Sequence, residues 1–178
     1  VQPALAKMEQ LRATGCSGLR WHLIGALQSN KAARAAAAFD VIHTLASDSA
    51  LRAIARGLAS SPSRCVVLIQ VRLGAGRAGV EPEKAKAFLR EIVAVGGITV
   101  DGVMGIAVPG EDPRPAFTRL RRVLEELREL GLQNAPLREM SAGMSDDFRE
   151  AIAAGATLVR VGRALFDRSE EHTSELQS

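Results

Sequence analysis

The sequence predicts an α/β fold, a (β/α)8 barrel of which about six of eight βα units are present. Three observations carry this. Short apolar runs alternate with longer helical patterns along the whole interior, the rhythm of a parallel sheet with crossover helices. Most of those runs are continuously apolar, as strands covered on both faces require. The first strand is followed by Gly25-Ala-Leu-Gln-Ser-Asn-Lys31, neither a dinucleotide fingerprint nor a Walker loop, so a doubly wound sheet would lack its usual Gly-rich turn.

The elements follow in order. Residues 4–12 read as an opening helix. Strands are expected at 19–24, 41–45, 65–71, 100–106, 137–141 and 157–162, and helices at 29–38, 48–59, 82–95, 113–130 and 146–154. Ser47-Asp48 supplies a cap, Glu81-Pro82 places proline in a first turn, and Ser145-Asp146-Asp147 offers a cap and carboxylates at an amino terminus. Gly96, Gly131 and Gly155 stop three of the helices, because glycine adopts the left-handed conformation that ends them.

Composition narrows the function classes. At 178 residues, 47% hydrophobic and 24% charged, with a mean hydropathy of +0.05, the chain has the make-up of a soluble globular domain. No apolar run approaches the roughly 20 residues of a membrane span, and a cytoplasmic location is the expectation. Cys16 and Cys65 lack metal or redox spacing and read as free thiols. The pI of 9.3 reflects 23 basic against 20 acidic residues, a net of only +3. The basic residues are scattered, without interleaved aromatics, which argues against nucleic acid. Residues 168–178 lose the apolar periodicity and resemble a translated sequencing adapter. The expected native-looking domain is therefore 1–167, with 168–178 an artefactual tail.

Chemistry is expected at the carboxyl ends of the last two strands, where barrels often hold phosphate. In Met140-Ser-Ala-Gly-Met-Ser-Asp-Asp-Phe148, Ser141, Gly143 and Ser145 offer hydroxyls and an unobstructed backbone for an anion, though a plain cap and turn would use the same residues. In Val159-Arg-Val-Gly-Arg-Ala-Leu-Phe166, the amides of Gly162 and Arg163 suit the same group. Arg160 lies inside an apolar strand, where a charge needs an acceptor, either a structural partner or a ligand. His22 and His43, each in a short strand, read as packed or hydrogen-bonded histidines. Three His and two Cys never reach metal-ligand spacing.

Trp21-His-Leu-Ile-Gly-Ala-Leu-Gln-Ser-Asn-Lys31, Val67-Leu-Ile-Gln-Val71, Gly102-Val-Met-Gly-Ile106, Ser141-Ala-Gly-Met-Ser-Asp-Asp-Phe148 and Val159-Arg-Val-Gly162 resemble, in order and spacing, the pyridoxal phosphate homeostasis proteins. The resemblance implies a TIM barrel of the alanine racemase amino-terminal-domain type (PLP fold type III). It also implies binding of pyridoxal 5′-phosphate without established turnover, and a role in balancing vitamin B6 and amino acids, with PLP-dependent apoenzymes as partners. It places the cofactor phosphate on the 141–145 loop, Met144 included, and on the Gly162 and Arg163 amides. Arg160 falls at the pyridine nitrogen, with Met104 packed beside the ring or as plain core filling, and Asn30 and Gln70 lining the mouth or as ordinary loop and strand residues.

The sequence departs from the family at several points. The family's Schiff-base lysine belongs on a strand expected to precede Val1, which implies an amino-terminal truncation and no catalytic residue within this chain. Lys31 matches a different family lysine, and Lys7, Lys84 and Lys86 fall in helical stretches. Ala142 stands for the usual Met, Arg163 for the usual Thr and Arg77 for a common Lys. Two other classes remain. A PLP-dependent amino-acid racemase uses a tyrosine as second base, and the sequence has no Tyr. A phosphosugar enzyme needs general bases at strand ends, whereas Asp101 is expected at the start of its strand.

Overall fold

Runs rich in Val, Ile and Leu pair here as an all-parallel sheet, because such side chains fill a surface buried on both faces. The computed structural model describes residues 1–15, 18–60 and 64–162; Cys16, Arg163 and the 168–178 segment lie outside them. Helix α1 (Gln2–Ala13) precedes β1 (His22–Leu23), α2 (Ser29–Ala38), β2 (Val41–Leu45), α3 (Asp48–Ser60) and β3 (Cys65–Gln70). A 3-10 turn at Pro82–Lys84 leads into α4 (Ala85–Val95), followed by β4 (Ile98–Met104), α5 (Pro113–Arg128), β5 (Glu139–Ser141) and α6 (Phe148–Ala153).

Strand order decides the architecture. The five strands lie as β1-β2-β3-β4-β5, all parallel. A doubly wound sheet reverses its order at a switch point, whereas a barrel adds each strand beside its predecessor. Ile42, Val67, Ile69, Val100, Val103 and Met140 pack on one face of the sheet against the helices. The alternating positions Val41, Leu68 and Met104 form a second, inner cluster with Val66, Ile106 and Leu158, as the period of two in a strand demands.

The sheet is strongly curled. β2 and β5 are separated by two strands, which in a flat sheet would hold them about 14 Å apart. Yet His43 Nδ1 lies 2.9 Å from Ser141 Oγ. Glycine permits part of this curvature: at Gly102, which pairs with Glu139, an added Cβ would sit 1.8 Å from the Glu139 carbonyl oxygen. Among the described residues, no helix is long and apolar enough to cross a membrane.

Three sequence expectations are corrected. The segment 157–162 is not a regular strand: it makes a parallel bridge between Leu158 and Ser141. Its ladder does not continue, because Thr157 N shares the Met140 carbonyl with Leu158 N on one side and Arg160 N turns to the Gly143 carbonyl on the other. The last helix begins at Phe148 with Asp147 at its N-cap, so Ser145 stands in the preceding turn. Asp101 lies in the middle of β4, which starts at Ile98. There it is buried and paired with Arg138 Nε at 2.9 Å.

Two stability predictions follow from the curl. Replacing Gly102 by Ala should cost about 3 kcal/mol or more, since backbone must yield. Gly110→Ala, with φ +82° and no atom near the new Cβ, should cost only about 1 kcal/mol; urea unfolding compares them. Burial first, then the nearby His22 and Arg160, lower the His43 pKa to about 4. As pH falls from about 6.5 to about 4, the unfolded chain takes up a proton that the fold refuses, so stability should drop by roughly 2–3 kcal/mol across that window and then level off. In His43→Asn, urea midpoints measured over the same pH range should lose much of that slope.

Candidate functional site

The carboxyl ends of the strands converge on Ser141, the last residue of β5 and fully buried. The chain then turns at Gly143, whose φ of +87° favours glycine. A Cβ there would lie 2.8 Å from Phe148 Cα and 2.7 Å from Ala151 Cβ. Close packing of the loop onto α6 therefore requires this residue. Within the loop, Met144 N donates to Asp147 Oδ1 at 2.6 Å, so one amide facing the helix start is already occupied by a carboxylate.

Arg160 reaches back over this loop. Its backbone N donates to the Gly143 carbonyl at 3.0 Å. Its side chain donates through Nη1 to Ser141 Oγ at 2.8 Å and through Nη2 to the Gly105 carbonyl at 3.0 Å. These acceptors are neutral. Among the described residues, no carboxylate forms an ion pair with Arg160. Burial pulls its pKa down, opposed by the field of Asp147. A partly buried cation bound only to neutral groups is electrostatically incomplete, and an acceptor or anion placed against it gains an interaction that solvent screens weakly.

Behind Ser141 the polar contacts continue. Ser141 Oγ meets His43 Nδ1 at 2.9 Å, and His43 Nε2 meets His22 Nδ1 at 2.8 Å. Burial is the first cause that lowers both histidine pKa values, so both rings are neutral near pH 7. This chain of contacts was the part of the site that residue-by-residue reading missed. The available signal was the one applied to Arg160: a polar ring inside a strand covered on both faces needs a partner.

The other expected site residues are placed as follows. Met104 is fully buried in the inner cluster and pairs in register with Ser141. Met144 is exposed, Gly162 is exposed with open space beside its Cα, and Ser145 lies in the loop. Asn30 is exposed in the first turn of α2 and takes no part in the Ser141 network. Gln70 turns to its own loop, donating to the Ala78 carbonyl at 3.1 Å. A cavity of about 230 Å³ on the outer side of the loop is lined by Glu111, Asp146, Asp147 and Glu150. Its charge repels anions, which leaves the Arg160 side of the loop as the one suited to them.

Comparison with known proteins places the chain in a family. Residues 4–169 match the family model of the alanine racemase N-terminal domain. The pyridoxal phosphate homeostasis protein of Deinococcus radiodurans is 38% identical over 156 residues, covering 87% of this chain and 71% of its own. The structure of PipY from Synechococcus elongatus, solved with PLP bound, has a TM-score of 0.84 and 34% identity, over 93% of this chain and 78% of that one. An alanine racemase of Clostridium difficile, at 17% identity and a TM-score of 0.74 over 94% of this chain and 44% of its own, shares the fold. The chain belongs to the family of pyridoxal phosphate homeostasis proteins, built on the barrel fold of the alanine racemase N-terminal domain.

Proposed function

We propose that this chain binds pyridoxal 5′-phosphate at the carboxyl end of the sheet and serves the cellular balance of vitamin B6 and amino acids. The observation that carries the reading is Arg160, a partly buried guanidinium held by the Ser141 hydroxyl and the Gly105 carbonyl with no carboxylate partner among the described residues. The cofactor fits that donor set. Gly143, Ser145, Gly162 and Arg163 would hold its phosphate, and Arg160 would meet the ring nitrogen, with Met104 beneath. Ser141, whose hydroxyl is engaged by Arg160 and His43, would support Arg160 rather than the phosphate.

Bound there, the cofactor supplies an electrophilic aldehyde and an electron-accepting ring. An arginine cannot give the ring nitrogen a full proton as a carboxylic acid does, so the ring beside Arg160 is the weaker electron sink. That favours keeping and handing on the cofactor over substrate turnover, with PLP-dependent apoenzymes in the cytoplasm as recipients. The lysines among the described residues stand apart from the site. Lys7, Lys31 and Lys84 are exposed, Lys86 pairs with Glu126 on α5, and none bonds to Ser141 or Arg160.

A fluorescence titration with pyridoxal phosphate tests the assignment. Saturable binding is expected, with pyridoxal lacking the phosphate at least about ten-fold weaker and Arg160→Leu weaker by a similar factor. Borohydride should trap no lysine-specific adduct in this chain. Equal affinity for pyridoxal and its phosphate, or unchanged binding in Arg160→Leu, would overturn the assignment.

A further inference from the structure

We propose that His43 is a positioning residue for Arg160, acting through Ser141 in a directed hydrogen-bond chain that runs from Arg160 through Ser141 and His43 to His22. The inference rests on the reading that Arg160 meets the cofactor ring. It follows from an inventory of donors and acceptors. Arg160 Nη1 can only donate, so it takes one lone pair of Ser141 Oγ. The hydroxyl is fully buried and has, among the described residues, one further partner, His43 Nδ1.

If Nδ1 carried a proton, the hydroxyl would accept twice and its own hydrogen would be left without either partner, a costly state for a buried donor. With Nδ1 bare, Ser141 donates to it and the His43 proton sits on Nε2. From there it donates to His22 Nδ1 at 2.8 Å. The His22 proton then lies on Nε2, on a half-buried residue that solvent can reach. Every donor is satisfied in this arrangement, and each bond polarises the next, so the Ser141 oxygen becomes a stronger acceptor for Arg160. Of the charged and titratable neighbours, His22 and Arg160 oppose protonation of His43 and Arg20 opposes that of His22, while Asp40 and Glu139 favour it but are outweighed by burial.

Substitutions that imitate one ring nitrogen at a time test the direction of the chain. His43→Asn carries an amide oxygen near the place of Nδ1 and keeps an acceptor for Ser141. His43→Gln reaches toward His22 instead and strips Ser141 of its acceptor. Pyridoxal phosphate titrations of the full chain should show about five- to ten-fold weaker binding in His43→Gln and in Ser141→Ala, and less than about two-fold in His43→Asn. The Ser141→Ala/His43→Gln double variant should be no weaker than either single one, as coupled residues require. Nitrogen-15 NMR of the ligand-free, unsubstituted chain should find the His43 proton on Nε2. A proton on Nδ1, equal losses in the Asn and Gln variants, or multiplying losses in the double variant would overturn the proposal. Unchanged cofactor binding in Arg160→Leu would instead refute the site reading, while the NMR result would still decide the direction of the chain.

Discussion

The bond between Arg160 and the Ser141 hydroxyl, 2.8 Å long, is the constraint around which the carboxyl end of this sheet is organised. A guanidinium lodged among strands must be bonded or it is ruinous to bury. Ser141 satisfies it from the neighbouring strand, and the curl of the sheet brings the same hydroxyl across to His43 on β2. That curl in turn depends on β4 and β5 meeting at Gly102, where any side chain would strike the Glu139 carbonyl. Apolar packing on the helical face supplies the bulk of the stabilisation, as in most α/β domains, while the polar contacts on the inner face set the shape.

Much of this was legible in the sequence. The continuous apolar runs marked β2 and β3 closely, because a strand buried on both faces leaves little else to read, and the glycines after α4 and α5 marked where those helices end. Less legible was 157–162, whose apolar residues promised a strand. Its backbone bonds to β5 converge on one carbonyl and leave a single bridge, a matter of local geometry that residue type does not encode. The position of Asp101 was misread for a related reason: β4 extends to Ile98, so the carboxylate falls inside the strand and pairs with Arg138.

At the site, Arg160 stood out as a residue that needed an acceptor, structural or ligand, and Ser141 as part of an anion-binding loop or a plain turn. The structure bonds them to one another. His43 and Ser141 are 98 positions apart, a separation across which no local periodicity carries information. The bond bears on chemistry: a buried hydroxyl engaged by a guanidinium and an imidazole supports the cation. The proposed site joins the two halves of the reading, since the family resemblance names the cofactor and Arg160, without a carboxylate partner among the described residues, is the group that would meet it.

The strand order also governs how such a molecule comes together. Each strand pairs with the one before it in the chain, so the sheet can grow by neighbouring units, with modest loop closure at each step. The bond between His43 and Ser141 is of another kind, because it spans the inner face and must wait until the fifth strand has docked. That contact is therefore made late in folding, and a partly assembled chain would have a helical layer and a growing core before the polar inner face was complete.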